Sequence, residues 1–278
     1  MSASTISLVS NSSMSIYPEN SSSHFVSQFP EQLYYNDGEY EMAMSAFQCR
    51  KSWYTFREDE KYSMKLFAAR GDRNELEIKN DVNVMVELAN FSLKSGVYES
   101  GNILQDEINN KITEAGLNEY YGFEYDNITK KMKLSFTDSD NKWFKVHMSN
   151  DLARKLGFMN FSSEQNWVSV YGKPGKKIEG GFTVRIDEID QIFVTCDLVQ
   201  NNHVVGDIKS PLLHIVPSSG PFDSVIDFEP STLLWLPLKR KTFDTAEVYI
   251  TDAQGRNIPF SSGTTVVRVE IRRRHLFK

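Results

Sequence analysis

The stretch "VTCDLVQNNHVVGDIKSPLLHIVP" (residues 194–217) brings Cys196, His203, His214, Asp197 and Asp207 within reach of one another along the chain. A thiol, an imidazole and a carboxylate are the parts of an activated cysteine nucleophile, and they are also metal ligands. His147 is a further base that the fold could bring to Cys196. Thiolate chemistry needs an electropositive, accessible pocket, often at a helix N-terminus. Cys196 instead lies in the apolar run "IFVTCDLV", with Val194 and Leu198 on its own face, which predicts a buried strand thiol. His214, inside "PLLHIVP", is expected to be a hydrogen-bonded core or interface histidine. Gly206 suits a bend and Asp207 can close it through its side chain. Pro211 and Pro217 bracket "LLHIV" and make it an edge or subunit-contact strand. The stretch therefore reads as two strands and their connection, and the chain as no enzyme and without a cofactor.

Other chemical signals are weaker. "GKPGKK" (172–177) lacks the spacing and following helix of a phosphate-binding loop and reads as an exposed basic loop. There is no HExxH and no clustered His/Cys spacing, so no metal site is expected. The two cysteines, Cys49 and Cys196, are far apart in mixed apolar segments and read as reduced, buried thiols. An Arg-Gly-Asp tripeptide at Arg70, Gly71 and Asp72 reads as a turn between strands. The N-terminus has no positively charged start and no long apolar core. That excludes a signal peptide and places synthesis in the cytoplasm or nucleus. No window approaches the length of a membrane span.

The net charge of −6 argues against general nucleic-acid binding by the whole chain. Against that background the C-terminal "RVEIRRRHLFK" stands out. Arg268, Arg272, Arg273 and Arg274, with His275 and Lys278, could hold a polyanion such as a genome, or an acidic partner. An ordinary solvated strand end is the alternative.

These residues must be held by elements, and most of the chain reads as strands. "TISLVS" (5–10), "SMSIY" (13–17), "HFVSQF" (24–29) and "EYEMAMSAFQ" (39–48) are short and alternating, the last with Tyr40, Met42, Met44 and Ala46 on one face. Asn36 to Gly38 supplies turn chemistry before it. "SWYTF", "YSMKLFAA" and "VNVMVEL" continue the pattern to residue 95. The period then changes. "NILQDEINNKITEAG" predicts a helix with Asn102 as N-cap, Ile103, Leu104, Ile108 and Ile112 near one face, and Gly116 as its stop. A hairpin turning at Asp126-Asn127, a strand "WFKVHM", and a short helix capped by Ser149 and stopped at Gly157 follow. From Gly180 the strands return, "GFTVRI" and "LLWLPL" among them, and "AEVYITD" and "TTVVRVEIR" alternate clearly. The expected fold is mainly β, an antiparallel jelly-roll sandwich with an inserted small α+β block. Its expected divisions are 1–95, 96–179 and 180–278. The 18 Phe, 12 Tyr and 4 Trp suit both strands and interfaces.

Beside this reading stands a resemblance. "SIYPENSSSHFVSQFPEQLYYNDGEYEMAMSAFQ", through Tyr17-Pro18, Asn20, Ser23, Phe25 and Glu41-Met42-Ala43-Met44, resembles the N-terminal signature of a family found in Polinton (Maverick) elements and related viruses. Gly96, Tyr98, Leu104, Ile108 and Asn109 fit its middle segment. Ser149, Leu152, Ala153, Leu156, Gly157 and Phe158 fit its "S..LA..LGF". The 194–217 stretch and residues 236–272 resemble its C-terminal half. The run "YEMAMSAFQCRKSWYTF" departs from the pattern by lacking its proline, although Trp53 is present.

The resemblance implies a minor capsid (penton) protein with a single jelly roll, as in Polinton-like viruses, virophages and adenovirus-like lineages. It implies localisation in the virion capsid and a pentamer at the vertices of an icosahedral shell, beside a double-jelly-roll major capsid protein. For the subunit interface of such a ring the candidates are Trp235, Leu236, Leu238 and Phe243. Two other readings stay open: another capsid-associated or receptor- or glycan-binding β-sandwich module, and a Cys196-dependent hydrolase.

Overall fold

The computed structural model describes residues 4–35, 38–71, 84–137, 142–159, 163–164, 166–201, 203–206 and 208–274. In chain order it opens with β1 (Ser4–Val9), β2 (His24–Tyr34) and β3 (Tyr40–Arg50). Next come β4 (Ser63–Ala69), β5 (Met85–Ser92), α1 (Gly101–Glu114), β6 (Tyr121–Asp126), β7 (Lys131–Phe136) and β8 (Phe144–Ser149). They lead to α2 (Asn150–Leu156), β9 (Ser163–Glu164), β10 (Trp167–Gly172) and β11 (Lys177–Glu179). The chain continues with β12 (Gln191–Cys196), β13 (His203–Val205), β14 (Ile208–Ser210), β15 (Leu212–Pro217) and β16 (Val225–Phe228). It ends with β17 (Leu236–Pro237), β18 (Thr242–Thr251) and β19 (Val266–Arg273).

Two compact units result. One joins Met1–Tyr54 to Ile189–Lys278, and the other is Thr55–Glu188. The expected divisions at 95/96 and 179/180 lie elsewhere, because β4 pairs with β8 and β5 with β4. Those two strands therefore belong to the inserted unit, although their composition matches the N-terminal strands.

In the first unit every strand pair is antiparallel, and two sheets run β1-β19-β3-β16 and β15-β12-β18-β2. If its eight main strands are numbered along the chain, the orders become 1-8-3-6 and 5-4-7-2. That interleaving, in which consecutive strands alternate between sheets except for the paired fourth and fifth, is the jelly roll. The core lies between the sheets: Leu8, Phe25, Met42, Met44, Phe47 and Cys49 meet Ile192, Val194, Val248, Ile250, Val267 and Val269. Ala46 does not join them. The register of β3 against β19 slips between Arg268 and Val269, so a bulge at Ser45 turns Phe47 and Cys49 inward in place of Ala46 and Gln48.

The inserted unit packs a five-stranded sheet (β5-β4-β8-β10-β9), a three-stranded sheet (β11-β7-β6) and both helices around a second core. Ser100 rather than Asn102 caps α1, accepting from the Ile103 amide. Leu104, Ile108 and Ile112 are buried and Ile103, a quarter-turn away, is exposed. Ser149 makes no side-chain cap; its hydroxyl instead donates to Lys61 O and accepts from the Ser63 amide, anchoring the start of β4. Lys155 is fully buried. Its ammonium donates to Thr55 O at 2.7 Å and Ile186 O at 3.0 Å, with Glu188 at 3.7 Å, so one side chain ties the two ends of this unit together. Burial pulls the Lys155 pKa down, and Glu188 opposes that shift.

Three expected strands are absent. "SWYTF" (52–56) forms no strand and keeps only an isolated bridge from Phe56 to Gly96. Residues 13–17 form turns, with the Ile16 and Tyr17 amides both donating to Ser13 O. "GFTVRI" is an extended connector that bonds to the end of α2 and to Lys130. "LLWLPL" keeps only the two-residue β17.

Candidate functional site

The opening stretch of the sequence forms β12, a β13–β14 hairpin and β15. Gly206 turns the hairpin at φ 61°, and Asp207 lies outside the described residues. β15 is an edge strand. Cys196 faces the core at 1% exposure, and desolvation pushes its thiol up to about 12. Cys49 behaves alike. A thiol so raised is protonated at neutral pH and is no nucleophile. Asp197 accepts from the Glu247 amide at 2.8 Å and pairs with Arg240, fastening β18 to β12. His214 is bonded through Nδ1 to Ile215 O and leans on Phe228. His147 belongs to the inserted unit and Cys196 to the other unit. No group of three or more metal-ligating side chains occurs among the described residues. No described helix is long and apolar enough to cross a membrane. The Asp72 of the tripeptide and Asn36-Asp37 of the expected turn lie outside the described residues.

The interface candidates divide. Leu236 and Phe243 are buried in the jelly-roll core, at 7% and 2% exposure, and present little to a neighbour. Leu238 is half-buried against that core. Trp235 is half-buried, with the Arg272 guanidinium 3.8 Å from its ring centroid. The basic strand end is also partly engaged: Arg272 pairs with Glu41 at 2.7 Å and Arg274 with Glu39 at 3.2 Å. Glu41 on β3 and Glu39 just before it, not visible as partners along the sequence, thus offset two of the four arginines. Arg268 and Arg273 are exposed, and His275 and Lys278 lie outside the described residues.

One end of the sandwich carries a cleft of about 490 Å³ that sequence reasoning missed. It forms where the chain leaves β2, enters β3, leaves β12 and approaches β18. Tyr35, Tyr40, Pro237 and Leu238 line it, below Lys239, Arg240, Lys241 and Arg274. The "LKRK" run (238–241) and Arg274 of the C-terminal basic run were the signals of it in the sequence.

These strand orders, with an α+β unit inserted between the third and fourth strands, define a single jelly-roll protein of the mainly β class. Among solved structures the chain is similar to the crystal structure of the mavirus penton protein. That match covers 98% of this chain and 99% of that one, with a TM-score of 0.54 and 10% sequence identity. No protein-family model matches the chain, and neither does any curated protein.

Proposed function

We propose that this chain is a structural protein of an icosahedral capsid. In this reading it is the minor capsid (penton) protein, closing five-membered rings at the vertices beside a double-jelly-roll major capsid protein. The observation that carries it is the likeness of fold to a penton protein over almost the whole of both chains, insertion included. The site chemistry points the same way: the buried, protonated thiols leave the Cys–His arrangement without a nucleophile.

A five-fold ring needs two different faces on each subunit. Trp235 and Leu238 supply apolar surface for one of them. Val225, 61% exposed on the edge strand β16, extends the candidate surface beyond the residues expected from sequence. Contact with a genome or an acidic capsid partner falls on Arg268 and Arg273, whose side chains are exposed.

The test is native mass by light scattering on a sizing column. Five copies of the 31.9 kDa chain give about 160 kDa. A species of that mass is expected. A single-chain mass at every concentration would remove self-assembly into rings and favour a monomeric binding module.

A further inference from the structure

The cleft beneath residues 238–241 shares Leu238 with the surface proposed for the ring, but its chemistry is its own. We propose that it is a docking site for an acidic peptide segment of a partner protein, one with carboxylates flanking an apolar side chain. This does not rest on the capsid reading.

Charge comes first. The whole chain is acidic, at −6, yet four cations converge on this one opening. Arg240 and Arg274 are positioned by Asp197 and Glu39, and each guanidinium has five donors, more than one carboxylate can use. Lys239 and Lys241 are exposed and make no ion pair with a described residue. Two lysines between two braced guanidiniums form an arrangement that binds carboxylates through charge-assisted hydrogen bonds.

The floor decides the class of ligand. Tyr35, Tyr40, Pro237 and Leu238 offer apolar surface, which a peptide side chain can bury. Single-stranded nucleic acid would need free ring faces for its bases. The Tyr35 ring is already engaged by side chains of its own unit: Phe243 stacks on it at 5.7 Å and Tyr40 tilts against it at 4.8 Å. The floor is also fixed. The Leu238 amide donates to Tyr40 O, the Tyr35 amide to Lys241 O and the Arg274 amide to Glu39 O, so the cleft is pre-formed.

The experiment is fluorescence anisotropy of the full chain with a labelled octapeptide of glutamate and leucine, and with labelled oligothymidylate. The peptide is expected to bind saturably and to weaken as salt rises. The double variant K239E/K241E is expected to bind it about tenfold more weakly or worse, with unchanged circular dichroism and melting temperature. K239R/K241R should retain binding. The proposal is overturned if the peptide does not bind, or binds K239E/K241E as well as the parent. Tighter binding of oligothymidylate through the same lysines would also overturn it, by assigning the cleft to nucleic acid.

Discussion

His147 lies on the outer face of the five-stranded sheet, with Lys65 beside it on β4 and Ser169 beside it on β10. Trp167 leans on its ring at 4.7 Å, Phe67 lies at 6.3 Å, and its Nε2 is buried without a hydrogen-bond partner. Burial, and then the charges of Lys145 and Lys65, push its pKa down to about 4. An unfolded histidine takes up its proton near pH 6.5, so between about pH 6.5 and 4 the unfolded chain binds more protons than the folded one. Stability therefore falls as pH falls through that window. The full shift would amount to about 3 kcal/mol, reduced to about 2 for a ring that is not fully enclosed. Urea unfolding at pH 7 and 4.5 should show the parent losing about 2 kcal/mol more than His147→Gln. Equal losses would mean that the imidazole is as well solvated folded as unfolded. Nothing in "FKVHMS" announced this histidine. Lys145 lies in that stretch, but the burial and the Lys65 charge depend on cross-strand neighbours more than seventy residues upstream and twenty downstream.

At the scale of elements, α2 shows what local sequence can specify. Gly157 ends it at φ 82°, and the Phe158 amide returns to Ala153 O. A Cβ on Gly157 would sit 2.2 Å from Phe182 O, whereas one on Gly175, at φ 77°, would meet nothing within 4 Å. Gly175→Ala should cost only the backbone strain of a left-handed residue, about 1–2 kcal/mol. Gly157→Ala adds a clash with backbone and should cost about 3–4 kcal/mol. Thermal or urea unfolding of the two variants measures the difference; equal costs would mean that the connector at Phe182 yields freely. Elements written in short-range periodicity were legible: both helices, the β6–β7 hairpin, and β18 and β19. Residues 13–17 and "GFTVRI" were not, because alternation alone does not say whether a strand neighbour exists to pair with. The bulge at Ser45 was hidden for the same reason, since it exists only against β19. Residues of the N-terminal signature now have mechanical duties. Asn20 clamps Val26 through both its amide and carbonyl, Glu41 holds Arg272, and Phe25, Met42 and Met44 fill the core. Asn109 does the same for α1, bonding both the amide and carbonyl of Phe123 on β6.

For the molecule as a whole, composition concealed where one unit stops and the other begins. β4 and β5 look like the strands before them, and only the pairing of β4 with β8 and of β5 with β4 assigns them to the insertion. The insertion has what an independent domain requires. It has its own apolar core, a Ser100 cap on α1, a Gly157 stop on α2, and a buried lysine that joins its first residue to its last turn of chain through Thr55 O and Ile186 O. Arg154 reinforces that closure with Glu60 and Glu188, each at 3.0 Å. A segment of this size with a complete core falls within the range of autonomously folding domains. The piece Thr55–Glu188 should therefore fold alone and unfold in one cooperative transition, visible as a single sigmoid by circular dichroism and as dispersed amide resonances. Within it Lys155→Met should be destabilising by about 3 kcal/mol. It leaves two buried carbonyls without a donor and the Glu188 carboxylate without its nearest buried cation. A broad, non-cooperative transition in the isolated piece would mean that its core is completed by the jelly roll. A Lys155→Met piece as stable as its parent would mean that the clasp contributes nothing to holding the ends together.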